Sequence, residues 1–215
     1  MSLHSSLSRL LVCGVAVLTW STVQPSANAA FHLWQVKEAF STADGSVQFV
    51  EMFDSFTGEN FVGGFTLQSD SDGVTKSFVF PGSISNAINT ANRHLLIATS
   101  NFAALPGAVM PDFTFDQGGI TGSFFNPNAS NIAFTFSGSG DSMAFAGASL
   151  PKDGIRSLTD AGAIGFPPGI PNISSGTNSP TNLNNQSGSV NLSPEPASVT
   201  LALLGMLSVF GLRRR

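Results

Sequence analysis

Glu38, in "VKEAF", and Glu51, in "FVEMF", flank the turn signal Asp44-Gly45, and their types and spacing open the question of chemistry. If a hairpin closes around residues 43 and 44, Glu38 falls opposite Phe49 and Glu51 opposite Val36, which puts both acids on one face. Two carboxylates within reach of each other can do acid/base work, glycoside hydrolysis included. They serve structure equally well, because inward-leaning Glu side chains accept hydrogen bonds from loop N–H groups at a sheet end. The structural reading is preferred, since no further catalytic group accompanies the pair. His32 and His94 are single, unpartnered histidines, and neither a Gly-x-Ser-x-Gly elbow nor a favoured Ser-His-Asp set is present. Asp70 and Asp72 in "SDSDG" offer two oxygen ligands to calcium, but the third acidic position and closing Glu of an EF-hand loop are missing. A type I turn between strands explains the same residues. The expectation is therefore no metal site and no cofactor. Surface phenylalanines, Phe124-Phe125 among them, would form a sugar-stacking platform, although an all-β core is the commoner place for Phe.

The elements that must position these groups have period two. In "FHLWQVKEAF", Trp34, Val36, Glu38 and Phe40 fall on one face, and in "SVQFVEMF" so do Val47, Phe49, Glu51 and Phe53. Further strands are expected at 60–68, 76–81, 93–100, 131–138 and 142–148, with turns at 69–73, 81–86 and 138–141 between them. Only "SNFAALPG" reads as a helical turn, capped by Ser100 or Asn101. No βαβ rhythm and no Gly-rich phosphate loop appears. About seven short strands predict an all-β body over residues 30–165, an antiparallel β-sandwich or a partly open barrel.

Composition narrows the classes of function. Only 10% of the 215 residues are charged, and 19 phenylalanines with no tyrosine supply the aromatic core. Between Ala30 and Pro194 there are five basic and twelve acidic residues, a net charge of −7. An acidic body without a Lys/Arg cluster argues against nucleic acid or an anionic membrane surface as partner. The front end has the layout of a secretory signal peptide over residues 1–29. Arg9 supplies the n-region and Leu10 to Trp20 the apolar h-region, and Ala27-Asn28-Ala29 is a site for signal peptidase before Ala30. Cys13, the single cysteine, lies in that h-region. The mature chain thus has no thiol, which excludes disulfides, cysteine catalysis and thiolate metal sites together.

From residue 166 the composition shifts to Asn, Ser, Pro and Gly with few large apolar residues. Such a stretch buries little surface against its ordering entropy, so 166–192 is expected to be a flexible stalk or a loosely attached strap. Sequons at Asn128, Asn172, Asn185 and Asn191 arise easily in this composition.

Two resemblances follow from particular residues. The C-terminal end carries Pro194-Glu195-Pro196, an apolar run from Ala197 to Leu212, then Arg213-Arg214-Arg215. This order resembles the PEP-CTERM sorting signal of Gram-negative bacteria over residues 193–215. The resemblance implies recognition by an exosortase, cleavage near the motif, a transient stay in the inner membrane, and delivery to the cell surface or exopolysaccharide matrix. As a helix, the 16-residue run reaches about 24 Å, against about 30 Å of hydrocarbon. A short temporary anchor fits that length, and the arginines fit retention on the cytoplasmic side. The second resemblance rests on "VKEAFSTADGSVQFVEMF", "FVGGFTL", "KSFVFP" and "HLLIAT", which look like the lamin-tail-like β-sandwich of bacterial secreted proteins. Glu38, Glu51 and Gly64-Phe65-Thr66-Leu67 match its pattern, while Lys37, Met52 and Phe65 depart from it. Together these features predict an exported, non-enzymatic protein with a structural or adhesive role in biofilm or exopolysaccharide. The alternatives are a carbohydrate-binding module and, behind it, a secreted hydrolase using Glu38 and Glu51.

Overall fold

The computed structural model describes residues 33–163 and 171–192. The signal segment with Ala27, Ala29 and Ala30, His32, and the sorting motif with its apolar run and Pro194, Glu195, Pro196, Arg213, Arg214 and Arg215 lie outside the described residues. Among the described residues, no helix is long and apolar enough to cross a membrane.

Among the described residues, ten strands form two sheets. They are β1 (Gln35–Ser41), β2 (Gln48–Asp54), β3 (Thr66–Ser71), β4 (Val74–Val79), β5 (Arg93–Ala98), β6 (Phe113–Thr114), β7 (Asn131–Phe136), β8 (Ser142–Ala146), β9 (Arg156–Asp160) and β10 (Ile173–Thr177). The larger sheet has the order β10-β9-β1-β2-β5-β6, and the smaller has β4-β3-β7-β8. The smaller sheet is antiparallel throughout. The larger departs from the antiparallel expectation at one edge, where β5 and β6 run parallel. The sheets meet through one core. Val36, Val50, Met52, Leu95 and Ile97 from the larger sheet pack with Leu67, Phe78, Phe134 and Phe136 from the smaller. The architecture is that of an all-β sandwich.

Phenylalanine dominates this core because flat rings interlock without a hydroxyl that would need a partner. Phe115 stacks on Phe124 at 4.4 Å, and Phe134 meets Phe125 edge-on at 5.0 Å. Phe124 and Phe125 are buried in the core, the commoner place for Phe, and do not form a surface sugar platform. Gln48 of β2 pins their loop to the larger sheet. Its Oε1 accepts from the N–H groups of Phe124 and Phe125, while its Nε2 donates to the Phe125 carbonyl and to Ser41 Oγ.

Several boundaries moved from expectation for local reasons. The strand expected from residue 60 begins at Thr66, because Gly64 at φ +83° breaks the extended run. Ser69 to Ser71 belong to β3, and the turn is the pair Asp72-Gly73, both at positive φ, as a tight hairpin with strand-matched twist requires. The helical turn is α1 (Ser100–Ala103), and its cap is Thr99, whose hydroxyl accepts from Phe102 N–H. β6, β9 and β10 were not foreseen; "RSLTD" and "ISSGT" lack the alternation of apolar residues that marks a strand.

Candidate functional site

The β1–β2 register sets the geometry of the acidic pair. Pairing runs Ser41↔Gln48, Phe40↔Phe49, Ala39↔Val50 and Glu38↔Glu51, then shifts so that Val36 faces Met52. Lys37 is the extra residue of a β-bulge, and an extra residue swaps the face of everything beyond it. This corrects two expectations. Glu38 faces Glu51 directly instead of Phe49, and Trp34 and Val36 lie on the opposite face from Glu38 and Phe40. Val36, Ala39, Val50 and Met52 point into the core between the sheets. Phe40, Phe49, Leu96, Ala98 and Phe102 form a second cluster on the outer face, with Val190 and Leu192 of the C-terminal segment. Next to the bulge, Val36 N–H donates to Asp141 Oδ2 at 2.8 Å.

Glu38 and Glu51 sit in this outer face, 1% and 2% exposed. What buries them is the segment expected to be a flexible stalk. Residues 171–177 contribute β10, which pairs with β9 along its whole length, and residues 178–192 fold over the larger sheet. Glu38 Oε1 accepts from Ser157 Oγ at 2.6 Å and from Ser179 N–H at 2.8 Å, and its Oε2 accepts from Ser179 Oγ at 2.8 Å. Glu51 Oε2 accepts from Thr181 N–H at 2.6 Å, and its Oε1 lies 2.6 Å from His94 Nδ1. His94 thus has a partner, contrary to the expectation, and its ring also packs at 5.1 Å from that of Phe53. A third carboxylate continues the row: Asp112 accepts from Leu183 N–H at 3.0 Å through Oδ2 and from Leu96 N–H at 2.8 Å.

These contacts make a comb. Alternate N–H groups of the strap, at Ser179, Thr181 and Leu183, meet in turn a carboxylate of β1, one of β2 and one at the residue before β6. Four extended residues span about 13 Å, close to the three strand spacings, about 14 Å, that separate β1 from β6. Between the donating positions, Pro180 has no N–H to satisfy, and Asn182 N–H closes a turn on the Gln186 carbonyl. Asparagine side chains hold the rest. Asn178 binds the carbonyls of Ile155 and Val190 and accepts from Val190 N–H, and Asn182 Oδ1 accepts from the N–H groups of Asn184 and Gln186. The polar composition of the segment serves the turns and caps of an ordered strap.

Burial drives the electrostatics of the row. The Glu51 carboxyl is raised above its usual range by desolvation, with the Glu38 charge adding and His94 opposing. Asp112 is pushed up to about 6 by burial, against the hydrogen bonds from Leu96 and Leu183. Asp54 is pushed up to about 6 by burial, with Glu59 nearby adding to it. A carboxyl with a raised folded pKa binds its proton more tightly when folded. Its stabilising share is complete below the unfolded value near 4 and is lost as pH rises through about 6. Asp44 works in the opposite sense. Hydrogen bonds from Thr42 and Ser46 hold it at about 2, so its share is lost as pH falls from about 4 towards 2. The expected result is a melting temperature several degrees higher at pH 4.5 than at pH 7.5. A steady fall in melting temperature from pH 7.5 to 4.5 in a thermal scan would contradict this account.

The remaining candidates separate. Asp70 accepts from Gly73 N–H and Thr75 Oγ1 inside its own hairpin. Asp72 turns to the start of β7, accepting from the N–H groups of Ser130 and Asn131 at 2.7 and 2.9 Å. Their carboxylates therefore serve different partners, and among the described residues no group of three or more His, Cys, Asp or Glu is placed to hold a metal. Of the sequons, Asn128 has its amide engaged, donating to the Ala43 carbonyl and accepting from Lys152 Nζ. Nothing in the sequence marked Ser157, Ser179 and Thr181 as partners of the acidic pair, or Asp112 as the third carboxylate of the row. The nearest signal was the spacing of donors around Pro180 in "NSPTNL". Compared with known proteins, the chain matches no family model and no curated protein.

Proposed function

We propose that this chain is an exported, non-enzymatic protein of the cell surface or extracellular matrix, with a structural or adhesive role in biofilm or exopolysaccharide. One observation carries the reading of the body. The carboxylates best suited to acid/base work are buried and spent on fastening the strap that leads to the C-terminal tail. A hydrolase would need at least one of them open to substrate, with a second group in reach of the same bond. In this reading the body is a lamin-tail-like, Ig-like sandwich, supported by the matching positions Glu38, Glu51 and Gly64 to Leu67. The ends supply the route: signal peptidase acts before Ala30, and an exosortase acts near Pro194-Glu195-Pro196. The apolar run and Arg213 to Arg215 hold the chain briefly in the inner membrane of a Gram-negative host.

Deletion of the gene in the native host tests the role. The expected result is a loss of aggregation or of matrix-retained material, restored by the full-length chain. Unchanged aggregation, matrix content and surface properties would overturn the proposal. Intact-mass measurement on fractionated native material tests the route. Surface-exposed protein should begin at Ala30 and lack Arg215, and a stable surface form that retains Arg215 would contradict sorting.

A further inference from the structure

The acidic row is closed, but the fold leaves an open cleft at another place. The β1–β2 turn, the Thr99–Asn101 entry to α1, the Phe115–Asp116 turn and the loop Ile120–Ser123 surround a space of about 470 Å³. That volume lies within the range of small-molecule sites. Its polar lining comes from Asp44, Ser46, Ser100, Asn101, Asp116 and Thr121, and its apolar side from Phe115 and Ile120. We propose that this cleft binds a neutral, hydroxyl-rich ligand, a short stretch of saccharide chain.

The chemistry of the lining selects the ligand. No Lys, Arg or His lines the cleft, while two carboxylates do. A phosphate, sulfate or uronate would meet uncompensated negative charge there. Carboxylates accept hydrogen bonds only, so a matching ligand must be rich in donors, and vicinal sugar hydroxyls provide them alongside acceptors for Ser, Thr and Asn. The polar groups are already oriented. Asp44 Oδ1 takes Thr42 Oγ1, Ser46 N–H and Ser46 Oγ, which fixes the carboxylate and leaves Oδ2 without a donor among the described residues. Asn101 Nδ2 is tied to the Ser46 carbonyl at 3.1 Å, and Ser100 Oγ donates to Asp116 Oδ1 at 2.8 Å. Hydroxyl contacts hold both acids below the usual carboxylate range. The walls are close-packed as well. A Cβ on Gly45, which sits at φ +71°, would meet Ser123 Cβ at 3.1 Å, so turn and loop touch with no slack. Behind them Phe115 rests on the Phe124 ring. Preorganised polar groups on a packed floor spare a flexible sugar part of its ordering cost.

The inference deepens the proposed matrix role and rests on it for the source of the ligand. It is tested with the full-length protein on an array of neutral gluco-, galacto- and manno-oligosaccharides, with a matched set carrying carboxylate or sulfate groups. Binding to members of the neutral set, at least tenfold weaker in both Asp116→Ala and Thr121→Trp at unchanged melting temperature, is the expected result. Asp116 and Thr121 are exposed, so neither change removes core packing. Silence on the neutral set overturns the proposal, as does preference for the charged set or binding that both variants retain. Binding abolished by a chelator overturns it too, because the carboxylates would then be holding a cation. Silence on the array together with a deletion strain that disperses would sink the cleft and leave the surface role standing.

Discussion

Glu38→Ala is expected to destabilise the body by about 3 kcal/mol and to lower its melting temperature by about 6–12 °C. Three donors lose their acceptor: Ser157 Oγ, Ser179 N–H and Ser179 Oγ. They do not lose it equally. Ser157 is fully buried and cannot turn to water, so its hydroxyl bears the desolvation cost of an unmet donor. Ser179 lies at the surface and regains solvent, which makes its share smaller. Relief of the repulsion between Glu38 and Glu51 offsets part of the loss, and for that reason the cost stays below a sum of all three bonds. The strap should also loosen as a unit. Amide protons of Ser179, Thr181 and Leu183 are expected to exchange faster in the variant, while those in β3 and β7 keep their order of protection. Glu38→Gln keeps one carbonyl acceptor and should fall between the variant and the parent. A melting temperature within one degree or so of the parent for Glu38→Ala would detach the acidic pair from the strap and return it to candidacy for chemistry.

Phe134→Ala should cost more, about 4 kcal/mol. Phe134 is fully buried in β7 and touches three other rings: Phe125 edge-on at 5.0 Å, Phe124 at 6.1 Å and Phe145 at 6.0 Å. Removing it loses the transfer energy of the ring and opens a cavity between the sheets. The surroundings have little freedom to collapse, because Gln48 holds both neighbouring phenylalanines by their backbone from the larger sheet. Urea unfolding should show a lower midpoint with an unchanged slope, which is the mark of lost stability without a changed denatured state. Phe145→Ala is the comparison. That ring is only half-buried, so less than half the effect is expected. Since Phe124 also supports Phe115, Phe134→Ala should loosen the cleft floor as well. A loss under about 1 kcal/mol would mean that the sheets do not depend on this ring cluster.

The β-rich body was legible in the sequence because its strongest strands alternate. β1, β2, β5 and β7 occur where period two placed them, and Asp44-Gly45 does turn the first hairpin. The choice of face was not legible. A bulge costs one residue and leaves the alternation on either side intact, so nothing in "QVKEAF" announces that Lys37 is the extra member. Glu38 and Glu51 therefore came out as near neighbours for the wrong register, and their direct opposition appeared only with the pairing.

The C-terminal segment shows the same divide more sharply. Its lack of large apolar residues argued that it could not repay its ordering entropy, which is sound for a segment considered alone. The strap instead draws on donors and acceptors already fixed by the sheet. Glu38, Glu51 and Asp112 are held in place by strands far away in sequence, and they meet backbone N–H groups that exist in almost any chain. Composition records the side chains a segment brings and says nothing of the acceptors waiting for its backbone. By itself, then, the sequence determined the strand-forming body, its phenylalanine core and its acidic charge, because these depend on residue type and local period. The tertiary structure decided that the two acids face each other, that they clasp the strap, and that a cleft bordered by Asp44 and Asp116 opens beside the first turn. Each of these depends on pairing between residues far apart in the chain, which local pattern does not encode.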